Sequence, residues 1–82
     1  MIKVVFLNLL RSKYGIEEFS AHPGTISDIL DEIVRVHPEI DRDDFGQAIL
    51  FVNQIRMSQN NRFSRGVKDG DEVIFTHFLG GG

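Results

Sequence analysis

Apolar and polar positions run along the chain with two different periods. The opening "IKVVFLNLL", Ile2 to Leu10, is β-branched and aromatic with almost no polar interruption, which predicts a buried central strand. Gly15 and its charged neighbours in "RSKYGIEE" predict a turn. "EFSAH", Glu18 to His22, is short and half polar, as an outer strand would be, and "HPGT" stops it. At Thr25 the period becomes helical. Thr25 and Asp28 have the spacing of a capping box, and Ile26, Ile29, Leu30, Ile33 and Val34 form one apolar stripe. Asp28, Asp31, Glu32 and Arg35 take the other face, with acids in the first turn where they suit the helix dipole. Pro38 ends the helix near Val36, after about three turns or roughly 16–18 Å.

"EIDRDDFG" reads as a loop or a short 3₁₀ turn. "AILFV" predicts a further strand, and "IRMS" its return across a two-residue Asn53-Gln54 turn. "QNNRFSRGV" is a polar connection anchored by Phe63 and Val67. Lys68-Asp69-Gly70-Asp71 is a turn that leads into the last strand, "EVIFTHF". Alternation along that strand puts Val73 and Phe75 toward the core and Ile74, Thr76 and Phe78 on the opposite face. The order is β-β-α-β-β-β. A single helix can cover one face of a mixed sheet, which makes a two-layer α+β domain. The first and last strands are the most apolar. If they are central neighbours they run parallel, and by analogy of fold alone that is the β-grasp (ubiquitin-like) arrangement.

Composition narrows the function. Eighty-two residues make one domain with little room for a deep active-site pocket, and 41% hydrophobic residues support a packed core. A net charge of −3 argues against nucleic acid as a partner. The absence of cysteine removes disulfides, thiol nucleophiles and cysteine-based zinc sites. No apolar run approaches the ~18 residues of a membrane span, and the N-terminal stretch lacks the features of a signal peptide, so a cytoplasmic protein is expected. His22, His37 and His77 sit in separate elements and read as surface residues, with no metal-ligand spacing. Asp41, Asp43 and Asp44 lack the glycine and distal glutamate of a calcium loop. No "GxSxG" elbow frames a nucleophile. No motif supports catalysis by a side chain of this chain.

The remaining feature is the ending, "FLGGG". It divides the chain into a body, residues 1–78, and a flexible tail, residues 79–82. Gly80, Gly81 and Gly82 read on one side as an unpacked end or a linker. On the other side they have a chemical use. Glycine lacks Cβ, so an extended Gly-Gly passes through a channel that any side chain would block, and it leaves a terminal carboxyl unhindered. Five residues from Phe78 span at most about 17 Å, enough to enter a partner's buried site. Phe78 and Leu79 are candidates for docking into a partner's groove.

Taken together, these segments resemble the sulfur-carrier family of the MoaD/ThiS type, which includes the small subunit of molybdopterin synthase. The resemblance covers essentially the whole chain. It rests on Leu10, Arg11 and Gly15 after the opening strand, "PGTISDILDEI" at the helix entry, "FVNQ" at the hairpin, "VKDGDEVIF" before the end, and the closing Gly-Gly. Length and the Leu-Arg…Gly opening favour the molybdopterin-type branch; the proline-free tail and third glycine depart from it. The resemblance implies that an E1-like adenylyltransferase uses ATP and Mg²⁺ to adenylate the Gly82 carboxylate, which becomes a thiocarboxylate. Its sulfur then goes to a cofactor precursor at a synthase resembling the large subunit of molybdopterin synthase. The carrier is then a protein cosubstrate that binds no cofactor or metal itself, with Gly81, Gly80, Leu79 and Phe78 meeting the partner. Two alternatives stay open: a ubiquitin-like modifier joined to other proteins through Gly82, and a β-grasp interaction domain whose glycines are incidental.

Overall fold

The computed structural model describes residues 1–77. Seven strands and three helices follow in the order β1 (Ile2–Phe6), α1 (Leu9–Tyr14), β2 (Glu18–Ala21), β3 (Gly24–Thr25), α2 (Ile26–Val36), α3 (Asp43–Gly46), β4 (Ile49–Val52), β5 (Ile55–Arg56), a 3₁₀ turn at Arg62–Ser64, β6 (Gly66–Val67) and β7 (Glu72–Thr76). Five strands form one mixed sheet in the order β2-β1-β7-β4-β5. The first and last strands are central neighbours and run parallel, with Val4 opposite Val73 and Phe6 opposite Phe75. The other pairings in this sheet are antiparallel. This is the expected β-grasp architecture, an α+β fold with α2 across one face.

Helix α2 forms where the period predicts it. Thr25 Oγ1 accepts from the Asp28 amide at 3.1 Å, and the Asp28 carboxylate accepts from the Thr25 amide at 3.0 Å. This satisfies two of the donors that a helix start leaves open. The box also dictates its neighbour: a Cβ at Gly24 would lie 2.9 Å from the Asp28 carboxylate. Ile26, Ile29, Leu30 and Ile33 are fully buried against Ile2, Val4, Leu50, Val52, Val73 and Phe75 of the sheet. Each such side chain contributes about 1.5–3 kcal/mol relative to exposure. Val73 and Phe75 lie in the core, and Phe63 and Val67 anchor their segment, as alternation and spacing predict. Asn53 and Gln54 both have positive φ, as a type I′ hairpin turn requires. Gly70 takes φ +91° in the turn before β7.

Several expectations are corrected. The opening strand does not reach Leu10. It ends at Phe6, and a short helix, α1, begins at Leu9. The backbone leaves the sheet at Asn8, which has φ 57°, and Leu10 is buried from the helix instead. Among the described residues there are therefore two short helices besides α2, because α3 replaces the expected loop or 3₁₀ turn with one α-helical turn. The strand after the hairpin stops at Arg56 rather than Ser58. Gly24–Thr25 and Gly66–Val67 pair as a separate two-stranded ribbon too short to leave a periodic signal.

The polar connection before β6 hides a buried cation. Arg62 is 5% exposed. Its guanidinium donates to the carbonyl of Ala48 at 2.6 Å, of Phe45 at 2.9 Å and of Gly46 at 3.1 Å. Burial lowers its pKa, yet an arginine remains charged. The side chain thus ties the 3₁₀ turn to the exit of α3 by satisfying carbonyls that a helix end leaves open. Arg62→Met keeps much of the volume and strands these acceptors. It is expected to lower unfolding stability by about 1–3 kcal/mol or more, measured by urea denaturation.

Candidate functional site

The sequence-predicted site residues Phe78, Leu79, Gly80, Gly81 and Gly82 lie outside the described residues. What the structure shows is the base from which they continue. Because β1 and β7 are parallel, both end on the same side of the sheet, and the turn after β1 lies beside the end of β7. The Leu7 amide donates to the Phe75 carbonyl at 3.0 Å. One residue further, Asn8 Nδ2 donates to Thr76 Oγ1 at 2.7 Å and to the His77 carbonyl at 3.0 Å. Beneath this corner lie three aromatic rings. Phe45 meets Phe75 edge-on at 4.9 Å, and Phe6 stacks on Phe75 at 6.3 Å. Such pairs add about 0.5–1.5 kcal/mol beyond area burial.

A polar cluster flanks the same corner. Tyr14 donates its hydroxyl to Asp44 Oδ2 at 2.5 Å and accepts from the Asp41 amide at 3.0 Å. Lys13 Nζ also reaches Asp44 Oδ2, at 2.9 Å. The Tyr14 hydroxyl first, and then the Lys13 ammonium, hold the Asp44 carboxyl below its ordinary pKa, with His77 adding to the effect by its charge. The histidines differ in setting. His22 is exposed and pairs with Glu32 at 2.9 Å. His37 is half-buried, edge-on to Phe19. His77 is half-buried, and its Nδ1 is buried with no hydrogen-bond partner among the described residues. The surface reading thus holds fully for His22, while His37 and His77 are partly exposed. Among the described residues, no group of three or more His, Asp or Glu side chains is placed to hold a metal ion, and no helix is long and apolar enough to cross a membrane.

The second component is the sheet face turned away from α2. Cross-strand register aligns Glu18, Val5, Ile74, Phe51 and Arg56 in one row, and Ile49 opposite Thr76 in the next. Val5, Ile49, Phe51 and Ile74 are half-buried. Lys3, Glu18, Glu72 and Arg56 bound the patch with both signs of charge. The predicted alternation placed Ile74 and Thr76 on this face. Val5, Ile49 and Phe51 were missed, because a single apolar run does not tell which of its residues face a helix. An apolar patch with a polar rim is the usual anatomy of a protein-binding surface.

No protein-family profile matches the sequence, and no curated protein is significantly similar to it. Solved structures do match. The small archaeal modifier protein 1 of Methanosarcina acetivorans superposes with a TM-score of 0.79 at 19% identity, over 99% of this chain and 95% of that one. A chain of the BexX/CysO complex of Amycolatopsis orientalis gives 0.74 at 19% identity over the full length of both. A chain of the complex of subunits 1 and 2 of the molybdopterin-converting factor of Helicobacter pylori 26695 gives 0.61 at 18% identity, over 99% of this chain and 97% of that one.

The Asp44 shift has a sign that can be measured. Its folded-state pKa lies below the unfolded value of about 3.9. Its stabilisation is therefore complete above that pH and is lost as pH falls through the folded value. The unfolding midpoint of Asp44→Asn is expected below that of the wild type at neutral pH, with the gap narrowing as pH drops below about 4. A gap independent of pH would show that the carboxylate charge is not the stabilising feature. The fold on which these observations sit is the ubiquitin-like β-grasp.

Proposed function

We propose that this chain is a ubiquitin-like sulfur carrier of the MoaD/ThiS type, acting through the carboxylate of Gly82. The observation that carries the reading is the continuation of the sequence, at the anchored end of β7, into Phe78, Leu79 and three glycines. An apolar sheet face beside this end supports it, as does likeness in fold to one chain of each of two two-protein complexes. An E1-like adenylyltransferase docks the sheet face and draws the tail into its nucleotide site. A carboxylate oxygen of Gly82 attacks the α-phosphate of ATP, held with Mg²⁺ by that enzyme, and pyrophosphate leaves. A sulfur nucleophile at the oxidation level of hydrosulfide then attacks the acyl carbon, AMP leaves, and the terminus becomes a thiocarboxylate. A second enzyme, resembling the large subunit of molybdopterin synthase, takes the sulfur into a cofactor precursor; molybdopterin is the proposed product. Both steps would take place in the cytoplasm. This chain supplies binding, direction and the acyl group, and the catalytic side chains belong to the partners.

A second reading has its own support in the likeness to an archaeal protein named as a modifier. In that reading the same acyl-adenylate passes to a lysine amine and forms an isopeptide. The two differ in product. Protein isolated from its native host as a sulfur carrier has the mass of a chain ending at Gly82 with one oxygen replaced by sulfur. Gly82 joined to lysines of other proteins marks a modifier. Neither product would leave a plain interaction domain.

Deleting Gly82, or replacing Gly81 by Val, is expected to abolish ATP–pyrophosphate exchange by the cognate enzyme while circular dichroism and the unfolding midpoint stay as in the wild type. Deletion removes the acyl group from its place, and Val blocks the channel with its Cβ substituents. Normal exchange by the truncated chain would overturn the carrier reading.

The docking face has a separate test. Phe51→Ser combined with Ile74→Ser is expected to weaken binding to the activating enzyme about tenfold or more with the folded spectrum retained. Phe78→Ala and Leu79→Ala in the same assay show whether the tail's apolar residues share that surface.

A further inference from the structure

We infer that Asn8 is a positioning residue, holding the end of β7 so that the chain enters residue 78 in one direction. The inference rests on the proposed reading of residues 79–82 as the tail that carries the reacting carboxylate. Three observations carry it.

The first is backbone conformation. Asn8 has φ 57° and ψ −122°. Asparagine tolerates positive φ mainly in the left-handed helical region, where ψ is also positive; this ψ lies far from it. A non-glycine residue stays in such a conformation only when its surroundings over-determine it.

The second is a helix cap left unmade. Asn8 is the N-cap residue of α1, a position at which asparagine is among the best side-chain caps. Its side chain makes no cap hydrogen bond. The amide turns to β7 instead, where Nδ2 donates to both Thr76 Oγ1 and the His77 carbonyl. A carbonyl can only accept, so the nitrogen, not the oxygen, faces it.

The third is what the contact replaces. Backbone pairing between β1 and β7 runs out with the Leu7 amide on the Phe75 carbonyl. β1 then leaves the sheet, and the next carbonyl along this edge of β7, that of His77, has no backbone donor from β1. The Asn8 amide extends the ladder by one side chain and satisfies that acceptor. His77 directly precedes Phe78 in the sequence, so the carbonyl held in place lies one residue before the segment read as partner-binding.

Two variants and two readouts separate positioning from folding. Glycine adopts the Asn8 backbone angles without a Cβ penalty, so Asn8→Gly removes the amide and relieves the backbone together. Asn8→Asp keeps the shape but cannot donate when ionised. With the cognate E1-like enzyme, both variants are expected to lower kcat for ATP–pyrophosphate exchange about 10–100-fold, the scale of a small misplacement of a reacting group. KM should be nearly unchanged, because the sheet face is intact. Independently of any enzyme, the ¹⁵N heteronuclear NOE of His77 is expected to fall in Asn8→Gly, while those of β1 and α2 do not. An unchanged NOE at His77, or wild-type kcat in Asn8→Gly, overturns the inference. Absence of exchange in the wild-type protein would instead reject the carrier and modifier readings, and the NOE would still decide whether Asn8 holds the strand end.

Discussion

The parallel pairing of β1 with β7 is the constraint on which the rest of the molecule depends. It joins residues about as far apart in sequence as the chain allows, Lys3 with Glu72 and Phe6 with Phe75. It can form only after a long loop has closed. Once formed, it fixes three things at once. The central strands bury Val4, Phe6, Val73 and Phe75 under α2. β2 and β4 pair antiparallel on either side. The two strand ends come out at the same corner, where the turn after β1 can reach the residues after β7. An antiparallel pair would have placed these ends at opposite sides of the sheet, and no side chain near Asn8 would meet His77.

Strand β7 therefore has two roles on its two faces. Val73 and Phe75 belong to the core, while Ile74 and Thr76 belong to the open face with Val5, Ile49 and Phe51. The period of two keeps the roles apart, since a change on one face need not disturb the other. The same strand ends at Thr76, two residues before Phe78 in the sequence. In the proposed reading, a partner seated on that face is positioned relative to the end of β7 by one rigid element, the kind of placement that converts binding into reactivity.

How much of this was legible in the sequence varied with the physical nature of each signal. Local signals were read well: the Thr25–Asp28 box, the Ile26–Ile33 stripe, the Asn53-Gln54 turn and the alternation of Val73 and Phe75 each have a cause within a few residues. "IKVVFLNLL" was read too long because an unbroken apolar run shows no period. The strand's end is set by Asn8, whose unusual backbone is held by contacts with Thr76 and His77 nearly 70 positions away. Arg62 was invisible for a similar reason. In sequence it is one cation in a polar loop, and its burial follows only from carbonyls at Phe45, Gly46 and Ala48 that the fold brings to it. At the site, Ile74 and Thr76 were placed correctly by alternation. The patch they complete needed the register of two other strands, β1 and β4.

This division has a chemical logic. In the proposed reading the reacting group is a terminal carboxylate, which needs no perturbed side chain of this chain to activate it. What such a protein must provide is a surface for a partner to grip and a defined starting point for the arm. Affinity from an apolar face and direction from an anchored strand end are separable contributions. Binding energy gained on the face can offset the entropy lost when the arm is threaded. Fixing the residue before the arm reduces that loss at its source. In the proposed reading the two contributions lie on neighbouring parts of one strand, Ile74 on the face and Thr76 with His77 at the end.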